Sequence, residues 1–286
     1  MDRMAEDTGK QKVIVLNGLA RGGTNIAWNI LQSHPNIVSP IYETNQIIGR
    51  RSIFAPFQHL IQRGKNIPWI RKQVCLRFNQ YKLKNLYALD NQYKYEGQRY
   101  TREEIERATL CIKGVCSPRN WDISYSELLH SAFSSVYFVG LIRNGFAICE
   151  SWRRRGISAR KAGKLYARFC DKLLRDKEHF PCYKIIRFED MLAAPFVMAK
   201  YLFEFVGEEK SDIRKLRIKA KRTLDPKRKH THQYGDLNRK YWFSEKTISE
   251  IIRTDINAVQ QKGLSPQEQK AFEAEAGEAM RHFRYI

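Results

Sequence analysis

Residues 13–28 read Val-Ile-Val-Leu-Asn-Gly-Leu-Ala-Arg-Gly-Gly-Thr-Asn-Ile-Ala-Trp. Val13 to Leu16 form an unbroken apolar run, Asn17-Gly18 ends it, and apolar positions return at Ile26, Ala27, Ile30 and Leu31 before Pro35. The order is strand, glycine loop, helix. A loop of this kind gathers backbone N–H groups at a helix N-terminus into a nest for an anion. Against the pattern G-x-x-x-x-G-K-[ST], Gly18 and Gly23 stand at the required separation, but Thr24 occupies the lysine position. An ATP or GTP hydrolase would lack the group that reaches its β- and γ-phosphates. The dinucleotide pattern G-x-G-x-x-G is not met either. Arg21 and Thr24 instead suit a terminal phosphate-like group, while a glycine turn packed against a sheet would account for the same glycines.

Further strands follow. Cys111 to Val115 is a short one, Ser135 to Ile142 (SVYFVGLI) is clearer, and Tyr183 to Phe188 is another. Helical patterns lie between and after them, from Phe146 towards Arg154, from Ala159 to about Lys177, and in two pieces after Glu189 with Pro195 near the start of the second. Near-continuous apolar strands alternating with helices imply an α/β fold, a single domain over 1–286 with a central, mostly parallel sheet flanked by helices and a P-loop-like first turn. Residues 47–100 are aromatic, basic and irregular and are expected to be a substrate-side insertion or lid. Glu245 to about Met280 is expected to give one or two surface helices.

The second constellation is YFVGLIRNGFAICESWRRRG, residues 137–156. Arg143 stands at the carboxyl end of an apolar strand, the edge where ligands collect in open parallel sheets. Ser151 comes eight residues later, about two helical turns on. A guanidinium and a hydroxyl so placed suit a phosphate; a surface arginine and a helix serine would fit the same spacing.

The chain has 286 residues, with 51 Lys plus Arg against 30 Asp plus Glu, a formal charge of +21. With 43% hydrophobic and 12% aromatic residues it is too apolar for a disordered basic tail. No apolar run approaches the roughly 18 residues of a membrane span, and MDRMAEDTGKQK is polar, so a cytoplasmic protein is expected. Six cysteines contain no CxxC pair and are expected to be free thiols; no compact His/Cys ligand set implies a metal. Between Lys210 and Lys240, twelve Lys or Arg face three Asp, so the charge is concentrated there.

Together the two motifs resemble those of sulfotransferases that use 3′-phosphoadenosine 5′-phosphosulfate. In that family the 5′-phosphosulfate loop runs basic residue, small residue, Gly-Thr, here Arg21-Gly22-Gly23-Thr24; the 3′-phosphate motif is an arginine with a serine eight positions on, here Arg143 and Ser151. The segment YKIIRFEDMLAAPFVMAKYLFEFVG resembles the family's strand, Tyr-Glu-Asp and helix, with Phe188 in place of tyrosine. The likeness runs from Val13 to about Gly207, and the two glycines before Thr24 are closest to the glycan (heparan-type) members. It implies that Arg21, Gly22, Gly23, Thr24 and Asn25 cradle the 5′-phosphosulfate, that Arg143 and Ser151 hold the 3′-phosphate, and that a basic loop at 210–240 covers it, with Lys227, Arg228, Lys229 and Lys240 as candidates and Lys229 carried forward. The family often has serine at Gly22, threonine at Asn25, and Pro-Arg at Gly145-Phe146.

Sulfuryl transfer to an alcohol needs a base at the acceptor hydroxyl and cations around the moving group. Glu43, nine residues beyond His34 in HPNIVSPIYET, resembles the catalytic glutamate of glycan members, and a solvated loop glutamate is its plain alternative. Asp122, His59 and His130 stand in reserve. Lys113 resembles a family lysine near the sulfuryl group, so the expected catalytic residues are Glu43, Arg21 and Lys113. Among Trp28, Tyr42, Phe54, Trp69 and Trp121, one or two rings stacking on adenine or a sugar are expected. The acceptor implied is a carbohydrate hydroxyl, on an anionic glycan or, second, a lipid headgroup. Two rivals remain: a nucleotide or small-molecule kinase, which would bind ATP with magnesium, and a noncatalytic nucleic-acid-binding protein drawn by the +21 charge.

Overall fold

Strand β1 (Lys12–Leu19) is apolar on both faces and lies in the middle of a sheet, where such a pattern belongs. The computed structural model describes residues 11–50, 52–62, 67–209, 213–220, 222–224, 231–233, 235–236 and 239–286. With β2 (Ile37–Val38), β3 (Thr109–Cys116), β4 (Ser135–Ile142) and β5 (Tyr183–Arg187), β1 forms a five-stranded sheet in the order β2-β3-β1-β4-β5. Every pairing is parallel, with Val13 opposite Leu110 on one side and Val136 on the other. The fold is the expected α/β architecture. Strand order reverses at β1, whose two neighbours are reached in opposite directions, and a crevice opens there at the carboxyl edge.

Alternation along β1 divides the core in two. Val13, Val15 and Leu19 enter one apolar cluster, Ile14 and Leu16 the other. Helix α1 (Thr24–Leu31) returns from the glycine loop and covers the second face with Ala27, Ile30 and Leu31. Beyond β2, the short α2 (Thr44–Ile48) leaves the carboxyl edge. The first face is covered by α3 (Pro68–Leu83), α4 (Gly145–Arg153) and α5 (Ala159–His179). The irregular stretch at 47–100 thus contains a sixteen-residue helix, and Ile70, Val74 and Phe78 on one side of it are fully buried. Lys82 continues that side. Its ammonium caps Glu106 O at 3.1 Å and Ala108 O at 2.5 Å, and burial pulls its pKa down to about 7.

Three C-terminal helices are found where one or two surface helices are expected: Glu245–Ile251, α6 (Ile256–Gln261) and α7 (Pro266–His282). The last is a core helix. Phe272, Ala276 and Met280 recur at i, i+4 and i+8 and are fully buried, each large side chain contributing roughly 1.5–3 kcal/mol. Close approach depends on glycine in α4 and α5, because a Cβ on Gly163 would stand 2.6 Å from Phe272 O and one on Gly145 2.7 Å from the Phe272 ring. The charged residues that dominate α7 by composition lie on its other side.

Part of the basic segment is structural. Lys215–Lys219 pairs antiparallel with Lys240–Ser244. Arg217 is buried and donates to Gln32 O at 3.0 Å and Tyr93 O at 2.9 Å, while Arg239 pairs with Asp90 at 2.9 Å. These arginines fasten the ribbon to the end of α1 and to residues 90–93. Lys227, Arg228 and Lys229 lie outside the described residues. All six cysteines are free thiols, and only Cys182 is not buried. Among the described residues, no helix is long and apolar enough to cross a membrane.

Candidate active site

The glycine loop needs its glycines for packing. Arg21 and Gly23 both have positive φ, 71° and 90°, and together they turn the chain from β1 into α1. A Cβ on Gly23 would stand 2.1 Å from the Phe188 ring, and one on Gly22 2.7 Å from Leu19 O. The N–H groups of Ile26 and Ala27 donate to Gly23 O at 2.9 and 3.2 Å, and the turn leaves those of Thr24 and Asn25 at the start of α1 for an anion. The Arg21 side chain is exposed at the mouth of this turn.

Arg143, directly after β4, is joined to that loop. Its guanidinium is buried, lies 4.5 Å over the Phe188 ring and donates to Arg21 O at 2.7 Å. It also donates to Asn257 Oδ1 at 2.8 Å and Gln260 Oε1 at 2.5 Å. Burial lowers its pKa to about 10, so it is a cation throughout the neutral range. Ser151 Oγ accepts from the same Gln260 at 2.9 Å, so the eight-residue spacing does bring Arg143 and Ser151 to one point. Glu189 stands behind them, accepting from Asn144 N at 2.9 Å, Tyr285 Oη at 2.7 Å and the Asn257 amide.

On the other side of α1, Glu43 Oε1 meets Lys113 Nζ at 2.7 Å. Lys113 is 2% exposed, an ammonium at an inward position of β3, and it reaches Asn25 Oδ1 at 2.6 Å and lies 4.2 Å from the Trp28 ring centroid. Burial lowers its pKa and Glu43 opposes that shift. Thr44 Oγ1 donates to Lys113 O at 2.9 Å and fixes α2 against β3, which holds Glu43 in place. A carboxylate, a buried cation and the loop's Asn25 therefore form one connected group. Such a group can accept a proton and stabilise developing negative charge beside it.

Glu43 opens onto a cleft of about 1080 Å³ lined also by Asp122, Trp121, Arg50, Arg119 and Arg168. Asp122 is buried; its Oδ2 accepts from Val115 N at 2.9 Å and Asn45 at 3.1 Å, and burial raises its pKa to about 6. The Arg168 guanidinium lies 4.7 Å over the Trp121 ring. His59 and His130 are exposed and do not line the cleft; His130 packs against Phe138 and Phe180. Phe54 is core, while Tyr42 and Trp69 are partly exposed against Tyr81 and Phe57. Lys240 meets Gln32 at 3.3 Å and Asn91, on the Trp28 side of the site rather than beside Arg143. Among the described residues, no group of three His, Cys, Asp or Glu could hold a metal ion.

Asn257, Gln260, Arg119 and Arg168 carry no sequence signal. Glu189 lies in the Phe-Glu-Asp segment, but its part in seating Asn144 and Asn257 emerges only from the contacts.

No protein-family model and no curated protein matches the sequence. Among solved structures the chain is similar in its course to the sulfotransferase domain from the Synechococcus PCC 7002 olefin synthase, at 15% identity over 93% of this chain and 95% of that one, TM-score 0.48. It is similar to the sulfotransferase domain from the curacin biosynthetic pathway, at 15% identity over 93% and 98%, TM-score 0.46. Mouse sulfotransferase SULT7A1 complexed with PAP matches at 13% identity over 98% and 89%, TM-score 0.41.

Proposed function

We propose that this chain transfers a sulfuryl group from 3′-phosphoadenosine 5′-phosphosulfate to an acceptor hydroxyl, in line and without a metal. The observation that carries the reading is the contact chain Glu43–Lys113–Asn25, which ties a carboxylate and a buried cation to the glycine loop at its first helical turn. In this reading the N–H groups of α1 and Arg21 receive the 5′-phosphosulfate, and Arg143 with Ser151 receives the 3′-phosphate. The acceptor O–H gives its proton to Glu43 as its oxygen attacks sulfur. The bond from sulfur to the bridging phosphate oxygen breaks, and that oxygen leaves with the electron pair. Lys113 and Arg21 supply positive charge where negative charge accumulates, and Lys113 also orients Glu43.

The acceptor enters through the cleft beyond Glu43. A carbohydrate hydroxyl is the reading we favour, and Arg50, Arg119 and Arg168 support an acceptor that also bears negative charge. Arg50 comes from the 47–100 segment, which supports a substrate-side role for that segment within a single catalytic domain. Isothermal calorimetry tests the donor half. Adenosine 3′,5′-bisphosphate should bind at least about tenfold more tightly than adenosine 5′-monophosphate, and Arg143→Ala should erase the difference. Equal affinities for the two nucleotides in the unaltered protein would overturn the proposal.

A further inference from the structure

Arg143 is a buried cation, and three of its five N–H groups donate to neutral oxygens: Arg21 O, Asn257 Oδ1 and Gln260 Oε1. Among the described residues no carboxylate is hydrogen-bonded to it; Glu189 acts on it across space and through Asn257. A buried charge is ordinarily met by an opposite one. The Gln260 carboxamide does something more specific. Its oxygen accepts from Arg143 while its nitrogen donates to Ser151, so one side chain spans the two residues to which the donor reading assigns the 3′-phosphate.

The element carrying these amides is lightly held. Helix α6 is six residues long and buries none of them completely, and it rests against α4, which carries Ser151. Short segments with little buried apolar surface open at small cost. Asn257 and Gln260, three apart, lie on the one face that meets Arg143. A phosphate oxygen accepts more strongly from a guanidinium than an amide oxygen does.

We propose that Asn257 and Gln260 are specificity-determining residues that hold the 3′-phosphate position with amide groups, and that donor entry exchanges those amides for phosphate oxygens as α6 moves aside. This rests on the donor reading above. The exchange makes the 3′-phosphate compete with an internal group, so the affinity for a bisphosphate is reduced by the share of chains in which Gln260 is seated. It also prevents an isolated buried cation in the empty chain.

Calorimetry with adenosine 3′,5′-bisphosphate and adenosine 5′-monophosphate tests this on Gln260→Ala and Gln260→Glu, with thermal melting to verify folding. Gln260→Ala should bind the bisphosphate about five- to tenfold more tightly and the monophosphate unchanged. Gln260→Glu places a carboxylate against Arg143 and should weaken the bisphosphate at least about tenfold, again sparing the monophosphate. If the unaltered protein binds the bisphosphate preferentially but a folded Gln260→Ala binds it no tighter, the inference fails and the donor reading stands. Parallel changes for both nucleotides also overturn it. If neither protein distinguishes the nucleotides, the donor reading fails and takes this inference with it.

Discussion

The two sides of α1 are built by different means. Towards β4, Arg143, Ser151 and Arg21 meet through neutral amide and carbonyl groups, with the ring of Phe188 beneath. Towards β3, Glu43 and Lys113 form a direct ion pair at the wall of an open, arginine-lined cleft. A site whose occupant always carries the same phosphates can be assembled from fixed spacings on one strand and the helix that follows it. The cleft that the proposed function gives to the acceptor draws on segments far apart in the chain, residues 43–50, 117–125 and 165–168. Under the proposed function the difference separates binding from chemistry, and it can be broken by experiment.

The largest effect should come from Glu43→Gln. Turnover with any competent acceptor is expected to fall roughly 10²–10⁴-fold, while calorimetric affinity for adenosine 3′,5′-bisphosphate stays within a factor of about two. Unchanged turnover would remove Glu43 as the base, and a parallel loss of nucleotide affinity would merge the two sides into one.

A smaller change is expected of Gly23→Ala. Its φ of 90° and the 2.1 Å approach to Phe188 should cost about 2–3 kcal/mol, read as a lowered urea midpoint, and should damage nucleotide binding with it. Gly23→Ala combined with Phe188→Ala should be less destabilised than the sum of the two single changes, since the ring is the obstacle. Strict additivity would show that the strain lies in the backbone alone.

Smallest of all is Arg168→Ala, a guanidinium over Trp121 at the far wall of the cleft. It should raise KM for a negatively charged acceptor about three- to tenfold, by roughly 1 kcal/mol, and leave a neutral acceptor and the nucleotide untouched. A loss confined to kcat would instead place Arg168 near the reacting atoms.

The contrast also explains what the sequence reveals. The strand Ser135–Ile142 has the bounds its apolar run predicts, because burial on both faces leaves one reading, whereas β1 runs on through Asn17-Gly18 to Leu19. The link between Arg143 and Ser151 is visible for a similar reason, since a strand end and two helical turns fix their separation. Gln260, more than a hundred residues away, is an ordinary glutamine in a polar segment, and only the docking of α6 on α4 gives it a partner. Helix α7 misleads by composition: its charges dominate the count, while Phe272, Ala276 and Met280 select the buried face. In the basic segment, Arg217 and Arg239 look like solvent-facing charge and turn out to be ties to backbone carbonyls and Asp90.

Phe188 closes on Gly23 from one direction and underlies Arg143 from another. A change in the loop and a change at Phe188 are therefore not independent events: a bulkier residue at 23 is viable only with a smaller one at 188, which in turn unseats the arginine. In descendants of this chain the three positions should drift together or not at all, and their joint variation would be a record of the site's geometry written without a structure.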